Sequence, residues 1–498
     1  MKRGVILSIL ALSVVLRLYG LGGEAFWFDE ATTLLVAERD PCSLVGLCSS
    51  DNVPPLYYLV LHFWLYAGTG EVWVRLLSVA FGVATVYMVW RLGNSLAGYP
   101  AGAYSSLIAA FSPVNIAYSR EARMYSMVEF WVAASFLFLW AWVREGRRGR
   151  LAGCFLCSAA ALYTHLFGVF IVLAQNVFVL FFSGVSLKSK RQWLVSQVCL
   201  LLLFMPWMVV VARQVQRIGE DFWLSKISLQ SFLSLWHFLG TGCDFGDDYV
   251  VTALLNTPLV ILFCSGLFCL LRRRKRAALM LSLWFFVPVV TAGVIGLIVP
   301  VWLNRYLLIV SPAYVILIGS ALAGLRGRLR LLVSLLVIFI LAISLHYRCS
   351  FVSRTRVRPA FDYIEERYRP GDCIIHHVLK GAGKRPVIFD GEGWATFTYF
   401  PSVIYHRGRY PEFLLSREPV PFYLRGELLD PGEVVTDFGM AAAGYERVWL
   451  VSWAKYEPVY GDEAVLALAG PDFHLVTSLK FPSPGNDIVT LYLLRHKS

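Results

Sequence analysis

Pro54-Pro55-Leu56-Tyr57-Tyr58-Leu59-Val60-Leu61-His62-Phe63-Trp64-Leu65 decides the fold of this chain. The run is apolar but short, and it opens on a double proline. A spanning helix needs about 20 predominantly apolar residues. This one offers fewer and is rich in Tyr and Trp, side chains that settle at the headgroup level. Read as an interfacial or re-entrant helix, it preserves the sidedness of everything that follows. Counted as a span, it would move every later basic loop to the wrong face of the membrane.

That sidedness rests on eleven apolar segments of spanning length, at 5–22, 72–92, 98–117, 124–143, 151–164, 166–184, 193–212, 250–271, 277–299, 305–324 and 329–346. With Met1 in the cytoplasm, the inner loops hold Arg91, then Arg144, Arg147, Arg148 and Arg150. Lys188, Lys190 and Arg191 follow, then Arg272-Arg273-Arg274-Lys275-Arg276, then Arg326, Arg328 and Arg330. Every dense basic cluster falls on one side, as the positive-inside rule requires. Met1-Lys2-Arg3 before an apolar run has the shape of a signal peptide, but no small-residue cleavage site follows. The first helix is therefore expected to be retained.

Composition agrees. Hydrophobic residues make up 57% and charged residues 16% of the 498, and the mean hydropathy is +0.61. These values define a polytopic membrane protein rather than a soluble domain with a large core. The net charge of +12 sits in short runs between apolar segments, not on a basic face with interleaved aromatics, so a nucleic-acid partner is excluded. Five of the ten cysteines (Cys154, Cys157, Cys199, Cys264, Cys269) lie in apolar segments and read as small apolar residues. Cys154-x-x-Cys157 lacks a second ligand pair for zinc. Cys42 and Cys48 share the first outer loop, where an oxidising compartment would allow a local disulfide.

Beyond about residue 350 the chain becomes more charged and richer in Pro and Gly. The pattern predicts an amphipathic helix over 360–368, a turn at Pro370-Gly371-Asp372 and a strand over 373–378. Further strand-like runs lie at 387–389, 447–452, 474–479 and 488–494. The expected organisation is a transmembrane domain over 1–346, with the 54–66 segment in its first outer loop, and a soluble α/β domain over 350–498 on the outer side. The second domain shows neither a Gly-rich phosphate loop nor a catalytic triad spacing. His376-His377 reads as a strand end rather than a metal site.

In this topology the notable outer-side polar residues fall together. Asp29 and Glu30 follow the first helix beside Trp27 and Phe28. Ser119-Arg120-Glu121-Ala122-Arg123-Met124-Tyr125 joins the third and fourth spans, Tyr163-Thr164-His165 the fifth and sixth, and Asn304-Arg305-Tyr306 opens the tenth. Arg17 and Arg75 lie near span ends, where snorkelling accounts for them. Arginines can grip a phosphate or diphosphate through forked hydrogen bonds. A carboxylate can deprotonate an acceptor hydroxyl as it attacks an activated carbon. A sugar on a lipid phosphate supplies such a carbon and needs no nucleotide loop. A lipid or glycan transporter or flippase is the competing reading. It predicts ionisable residues near the midplane and internal repeats, whereas these charges sit at the rim and no repeat is present.

Several stretches together resemble a known family. They are Trp27-Phe28-Asp29-Glu30-Ala31, Val53-Pro54-Pro55-Leu56-Tyr57-Tyr58 with Glu71-x-x-x-Arg75, Ser112-Pro113 through Tyr125, Tyr163-Thr164-His165 and Arg305-Tyr306. Over roughly residues 1–346 the chain resembles the integral-membrane GT-C glycosyltransferases. The protein O-mannosyltransferase-like and galacturonosyltransferase-like bacterial enzymes are the nearest group, and the lipid A aminoarabinose transferase is more distant. The resemblance implies an inverting transfer from a polyprenyl-phosphate sugar to a cell-envelope acceptor (lipid A, glycan or protein), in the cell membrane with the N-terminus cytoplasmic and the C-terminal domain outside. It implies Asp29 as general base or as the group holding the acceptor, with Glu30 or Glu121 orienting the acceptor or binding a cation. Arg123 and Arg305, with Arg120 and Tyr125, would hold the donor phosphate. His165, Arg75 and Tyr57 are auxiliary candidates. A divalent cation suits these hard oxygen ligands, but no fixed spacing shows one. Asn52-Val53 stands where many members place a His before the Pro pair, so a metal site relying on that position is in doubt.

Overall fold

The computed structural model describes residues 2–50, 53–220, 227–242, 249–351, 357–378, 395–417, 420, 428–429, 432–455, 462–482 and 487–497. In chain order its helices begin with α1 (Lys2–Leu18), α2 (Phe28–Ala37), α3 (Pro41–Ser50), α4 (Leu56–Leu65), α5 (Glu71–Ala97), α6 (Tyr99–Phe111) and α7 (Pro113–Ser119). Then come α8 (Tyr125–Glu145), α9 (Arg148–Thr164), α10 (Gly168–Val177, continued by a π turn, Phe178–Phe182), α11 (Leu187–Glu220) and α12 (Leu229–Gly240). After α13 (Tyr249–Arg273) and α14 (Lys275–Gly296), a 3-10 turn (Asn304–Val310) leads into α15 (Ser311–Gly324), and α16 (Gly327–Phe351) closes the series.

Every apolar segment expected from the sequence overlaps these helices, but 98–117 is broken into α6 and α7 at Ser112 and 305–324 begins as the 3-10 turn before α15. Among the described residues, seven are long and apolar enough to cross a membrane: Glu71–Ala97, Tyr125–Glu145, Leu187–Gln214, Val250–Arg273, Lys275–Gly296, Asn304–Gly324 and Gly327–Arg348. The helices α1, α6, α9 and α10 are shorter. The ten residues of α4 rise about 15 Å, half of a hydrocarbon core.

The chain divides into two compact units. One comprises Met1–Leu21 and Asn52–Arg348, the other Gly22–Asp51 and Cys349–Ser498. The sequence reading had residues 22–51 in the first outer loop of the membrane domain; in the structure they belong to the second unit.

Within the first unit, the span Asn304–Gly324 is 89% buried, against 17% for Leu187–Gln214 and 22% for Gly327–Arg348. α15 is therefore the bundle's centre, while α11 and α16 turn apolar faces outward as lipid-facing helices do. The core joins Phe136 of α8 to Trp284 of α14, stacked at 4.1 Å, and the Trp284 indole donates to the Ile309 carbonyl at 2.8 Å. Helix ends follow local chemistry. Ser112 caps α7 by accepting from the Asn115 amide, with proline in the first turn. Gly146 takes a left-handed φ of 65° at the end of α8.

In the second unit, α17 (Arg358–Arg367), β1 (Asp372–His377), α18 (Thr396–His406), β2 (Glu412–Leu415), β3 (Val434–Val435), α19 (Phe438–Ala442), β4 (Arg447–Lys455), α20 (Asp462–Ala469), β5 (Phe473–Pro482) and β6 (Asp487–His496) form a mixed α/β fold. The six-stranded sheet has the order β3-β2-β1-β4-β6-β5. β1 is parallel to β2 and β4, β2 to β3, and β6 is antiparallel to β4 and β5. His376 and His377 end β1, as the sequence pattern suggested. The strand-like run at 387–389 lies outside the described residues. Sequence reading missed β2, β3, α18, α19 and α20, which are short or carry an internal proline (Pro401).

The local Cys42–Cys48 disulfide that the sequence allowed is ruled out by helix geometry. The two cysteines lie six residues apart on α3, which separates their Cα atoms by about 9 Å along the axis, beyond the reach of a disulfide. Snorkelling also fails for Arg17 and Arg75, each 1% exposed. Arg17 donates to the Ser13 hydroxyl at 2.7 Å and to the Ala110 and Ala109 carbonyls at 3.3 and 3.4 Å. Both point into the bundle, where unpaired carbonyls replace the water that a snorkelling head would seek.

Candidate active site

Arg123 is the centre of the polar cluster in the first unit. It leaves the short link between α7 and α8 and is 4% exposed. Its backbone amide donates to the Glu121 carbonyl at 2.8 Å, closing a tight turn that keeps both residues at the head of α8. Its guanidinium donates to the Tyr58 hydroxyl at 3.2 Å, and its carbonyl accepts from Ser78 at 3.2 Å. Ser78 is in turn 3.0 Å from the Tyr57 hydroxyl. The tyrosine pair on α4 and Ser78 on α5 thus hold the Arg123 turn at both its side chain and its backbone. Tyr58 and Ser78 were missed as site residues; Ser78 follows Arg75 by one helical turn, which was the available signal.

Arg75 donates to the Leu21 carbonyl at 2.9 Å, and Arg120 to the Gly20 carbonyl at 2.9 Å. These two arginines thereby fasten the end of α1, where Gly20 has a φ of 66°. Glu121 is buried at 4% exposure.

His165 forms the other half of the cluster. It lies between α9 and α10, 5% exposed. Its ring stands edge-on to Tyr306 at 5.1 Å and Phe167 at 5.4 Å, with Tyr125 at 6.2 Å. Burial, then the charges of Arg123 and Arg305, push its pKa down to about 3. Four distant stretches of sequence therefore supply one cluster of arginines, aromatic rings and a neutral imidazole: the 57–58 pair, the 120–125 turn, His165 and Arg305-Tyr306. Such a cluster can bind an anion and steady charge growing on it.

Behind it, Arg17 of α1 is attracted electrostatically by Glu129 of α8. Glu129 is 2% exposed and was also missed, although a carboxylate early in an apolar span is itself a signal.

Asp29 and Glu30 belong to the second unit. They occupy the first turn of α2 and are buried, at 9% and 0% exposure. A helix N-terminus favours negative charge there. Thr33 and Thr32 donate to the Asp29 carbonyl at 2.6 and 3.2 Å. α2 is seated on α18: Phe28 stacks on Phe397 at 4.4 Å, the Phe26 amide donates to the Tyr405 hydroxyl at 2.7 Å, and Glu38 pairs with Arg407 at 3.3 Å. This helix is a built element rather than a solvated acidic loop. Among the described residues no three His, Cys, Asp or Glu side chains group to hold a metal ion, and Asn52 lies outside those residues.

Comparison with known proteins follows the same outline. The chain is similar to the ArnT structure from Cupriavidus metallidurans in its apo state, with a TM-score of 0.62 and 15% identity over 98% of both chains. Its undecaprenyl-phosphate-bound form gives 0.60 and 16%, again over 98% of both chains. The archaeal oligosaccharyltransferase AglB from Archaeoglobus fulgidus, in complex with an inhibitory peptide and a dolichol-phosphate, gives 0.51 and 12% over 90% of this chain and 69% of that one. The fold is that of a multi-pass membrane protein and is GT-C-like.

Residues 52–209 match the profile of the family described as dolichyl-phosphate-mannose-protein mannosyltransferase. That stretch, which contains the Arg123 turn and His165, resembles this family of GT-C glycosyltransferases, as the motifs had suggested. The provisionally named mannosyltransferase YycA of Bacillus subtilis (strain 168) is 28% identical over 168 residues. The match takes in 33% of this chain and about a quarter, 24%, of the length of that relative.

Proposed function

We propose that this protein is a polyprenyl-phosphate-sugar-dependent glycosyltransferase that moves a sugar to a cell-envelope acceptor on the outer face of the membrane. One observation carries the reading. Within the segment that matches the mannosyltransferase family, a buried arginine is held at three points beside an imidazole and a second arginine, an arrangement built for an anion. The undecaprenyl phosphate bound by the ArnT relative and the dolichol-phosphate bound by AglB support a lipid phosphate as that anion.

In this reading Arg123 and Arg305 grip the phosphate, with Arg120 and Tyr125 bordering it. Asp29 takes the acceptor's proton as its oxygen attacks the sugar's anomeric carbon from the face opposite the phosphate. Inversion follows from that single displacement. Glu30 or Glu121 orients the acceptor. The chain crosses the membrane eleven times, with the N-terminus cytoplasmic and the second unit outside, and α4 lies at the outer interface beside the lipid tail.

The test uses purified full-length protein with a radiolabelled polyprenyl-phosphate sugar, alongside mass spectrometry of envelope glycans from cells with and without the gene. Asp29→Asn is expected to lower kcat by at least about a hundredfold while donor binding persists. Full transfer by Asp29→Asn would remove Asp29 from the mechanism. An unchanged glycan profile, together with solute or lipid movement that needs the protein, would favour the transporter instead.

A further inference from the structure

His165 is held in one tautomer by its own turn. The Phe167 backbone amide donates to its Nδ1 at 3.1 Å, so Nδ1 is an acceptor and the ring proton resides on Nε2. Tyr306, Phe167 and Tyr125 fix the ring plane. Among the described residues no protein group is hydrogen-bonded to Nε2, and Nε2 is not sealed from its surroundings as the orphaned polar atoms of the core are. The charges that act on the ring are cationic, Arg123 and Arg305. The other side chains in ring contact are the aromatic rings of Phe167, Tyr125 and Tyr306.

We propose that His165 serves the site as a fixed hydrogen-bond donor, presenting Nε2–H to a phosphate oxygen beside Arg123 and Arg305. A ring proton with no protein acceptor, next to two cations, is complementary to an oxyanion and to little else. The assignment deepens the glycosyltransferase reading above and rests on it.

During transfer, a bond forms between the acceptor oxygen and the anomeric carbon while the bond from that carbon to the phosphate oxygen breaks. The phosphate keeps the electron pair, and the acceptor's proton goes to a carboxylate. His165 keeps its own proton. Its hydrogen bond shortens as charge grows on the phosphate, so it stabilises the leaving group without acting as an acid.

Two substitutions separate the nitrogens. His165→Asn retains an acceptor near Nδ1 for the Phe167 amide but removes the Nε2 donor. His165→Gln sets an amide N–H near the Nε2 position. Binding of undecaprenyl phosphate to the full-length protein in nanodiscs would be measured by calorimetry from pH 5 to 8, with folding checked by thermal unfolding.

The expected result is binding about tenfold weaker in His165→Asn, near-normal binding in His165→Gln, and a wild-type affinity that does not strengthen on acidification, since the phosphate monoester itself gains a proton near pH 6. Normal binding by the folded Asn variant would overturn the proposal. So would equal loss in a folded Gln variant, which would mean that the ring's packing is what matters. Wild-type affinity that strengthens below pH 6.5 would overturn it too, by making the imidazolium the binding form. If the wild type binds no undecaprenyl phosphate at all, the glycosyltransferase reading falls and takes this assignment with it. If it binds and only the variant pattern fails, the glycosyltransferase reading stands.

Discussion

At the scale of single residues, the phosphate-binding reading depends on how Arg123 is held. Its hydrogen bond to the Tyr58 hydroxyl is charge-assisted, and such bonds contribute about 1.5–3 kcal/mol. Tyr58→Phe deletes that partner without changing the ring. Its KM for a polyprenyl-phosphate donor should rise about tenfold while kcat changes less, because the guanidinium stays charged but loses its fixed direction. Arg123→Lys, a point charge without the fork, should cost more in both constants. Steady-state kinetics on the two variants decide this, and an unchanged KM in Tyr58→Phe would mean that α4 does not hold the arginine. The motif residues were legible because Arg and Tyr at the ends of apolar runs stand out against their background. Arg17 and Glu129 were misread or missed for the opposite reason. In a bundle of helices apolar on every side, sequence does not separate the lipid face from the packed face.

At the scale of elements, helix positions were legible and helix contacts were not. Apolar runs and basic loops located every long helix. The close approach of α5 to α7 rests on one glycine that sequence does not single out. A Cβ on Gly82 would lie 2.5 Å from the Ser119 Cβ and 3.0 Å from Arg17 Nε. Ser119 ends α7 and immediately precedes the Arg120–Tyr125 turn, so a methyl group here pushes directly on the candidate site. Gly82→Ala should destabilise the protein by about 1–3 kcal/mol, the usual cost of overpacking, and should weaken lipid-phosphate binding as well. Gly149→Ala is the control. It lies in α9 with nothing within 4 Å of the added carbon, and removing a helical glycine there should leave stability equal or raise it by about 0.5–1 kcal/mol. Thermal unfolding in detergent separates the two, and equal melting of Gly82→Ala and wild type would contradict the tight approach. The α2 helix shows the other limit of legibility. The partners of Phe26 and Phe28, Tyr405 and Phe397, lie about 370 residues away along the chain, beyond any local pattern.

At the scale of the whole molecule, both units carry buried ionisable groups that tie their stability to acid. In the first, burial and two arginines hold the His165 pKa down to about 3, so that unit should lose stability below about pH 6.5. The second carries a buried ionisable group of His376, His406 and Glu412, all under 7% exposed in their side chains. Glu412 accepts from His406 Nδ1 and lies 3.8 Å from His376 Nε2, while His376 Nδ1 meets the Thr398 hydroxyl at 3.0 Å. Burial alone would raise the Glu412 pKa, but hydrogen bonds and charge from the two histidines draw it down to about 2. Burial holds His376 below its ordinary 6.5, against the pull of Glu412. Both shifts act in the same direction. The folded state binds fewer protons than the unfolded one, for His376 as pH falls below about 6.5 and for Glu412 between about 4.5 and 2. Stability of this unit should therefore be greatest above pH 6.5 and decline on acidification, first through His376 and then through Glu412. Hydrogen exchange on the full-length protein, corrected for intrinsic rates, should show protection of β1 and β2 falling between pH 6.5 and 4. Glu412→Gln, which removes the carboxylate that accepts from His406, should lower the unit's stability at pH 7.5 by about 1–3 kcal/mol. It should also remove the limb below pH 4.5. Acid-independent protection of β1 and β2 in the wild type would show that the cluster is not coupled to folding, and the stability of the second unit would then have to come from its apolar sheet faces alone.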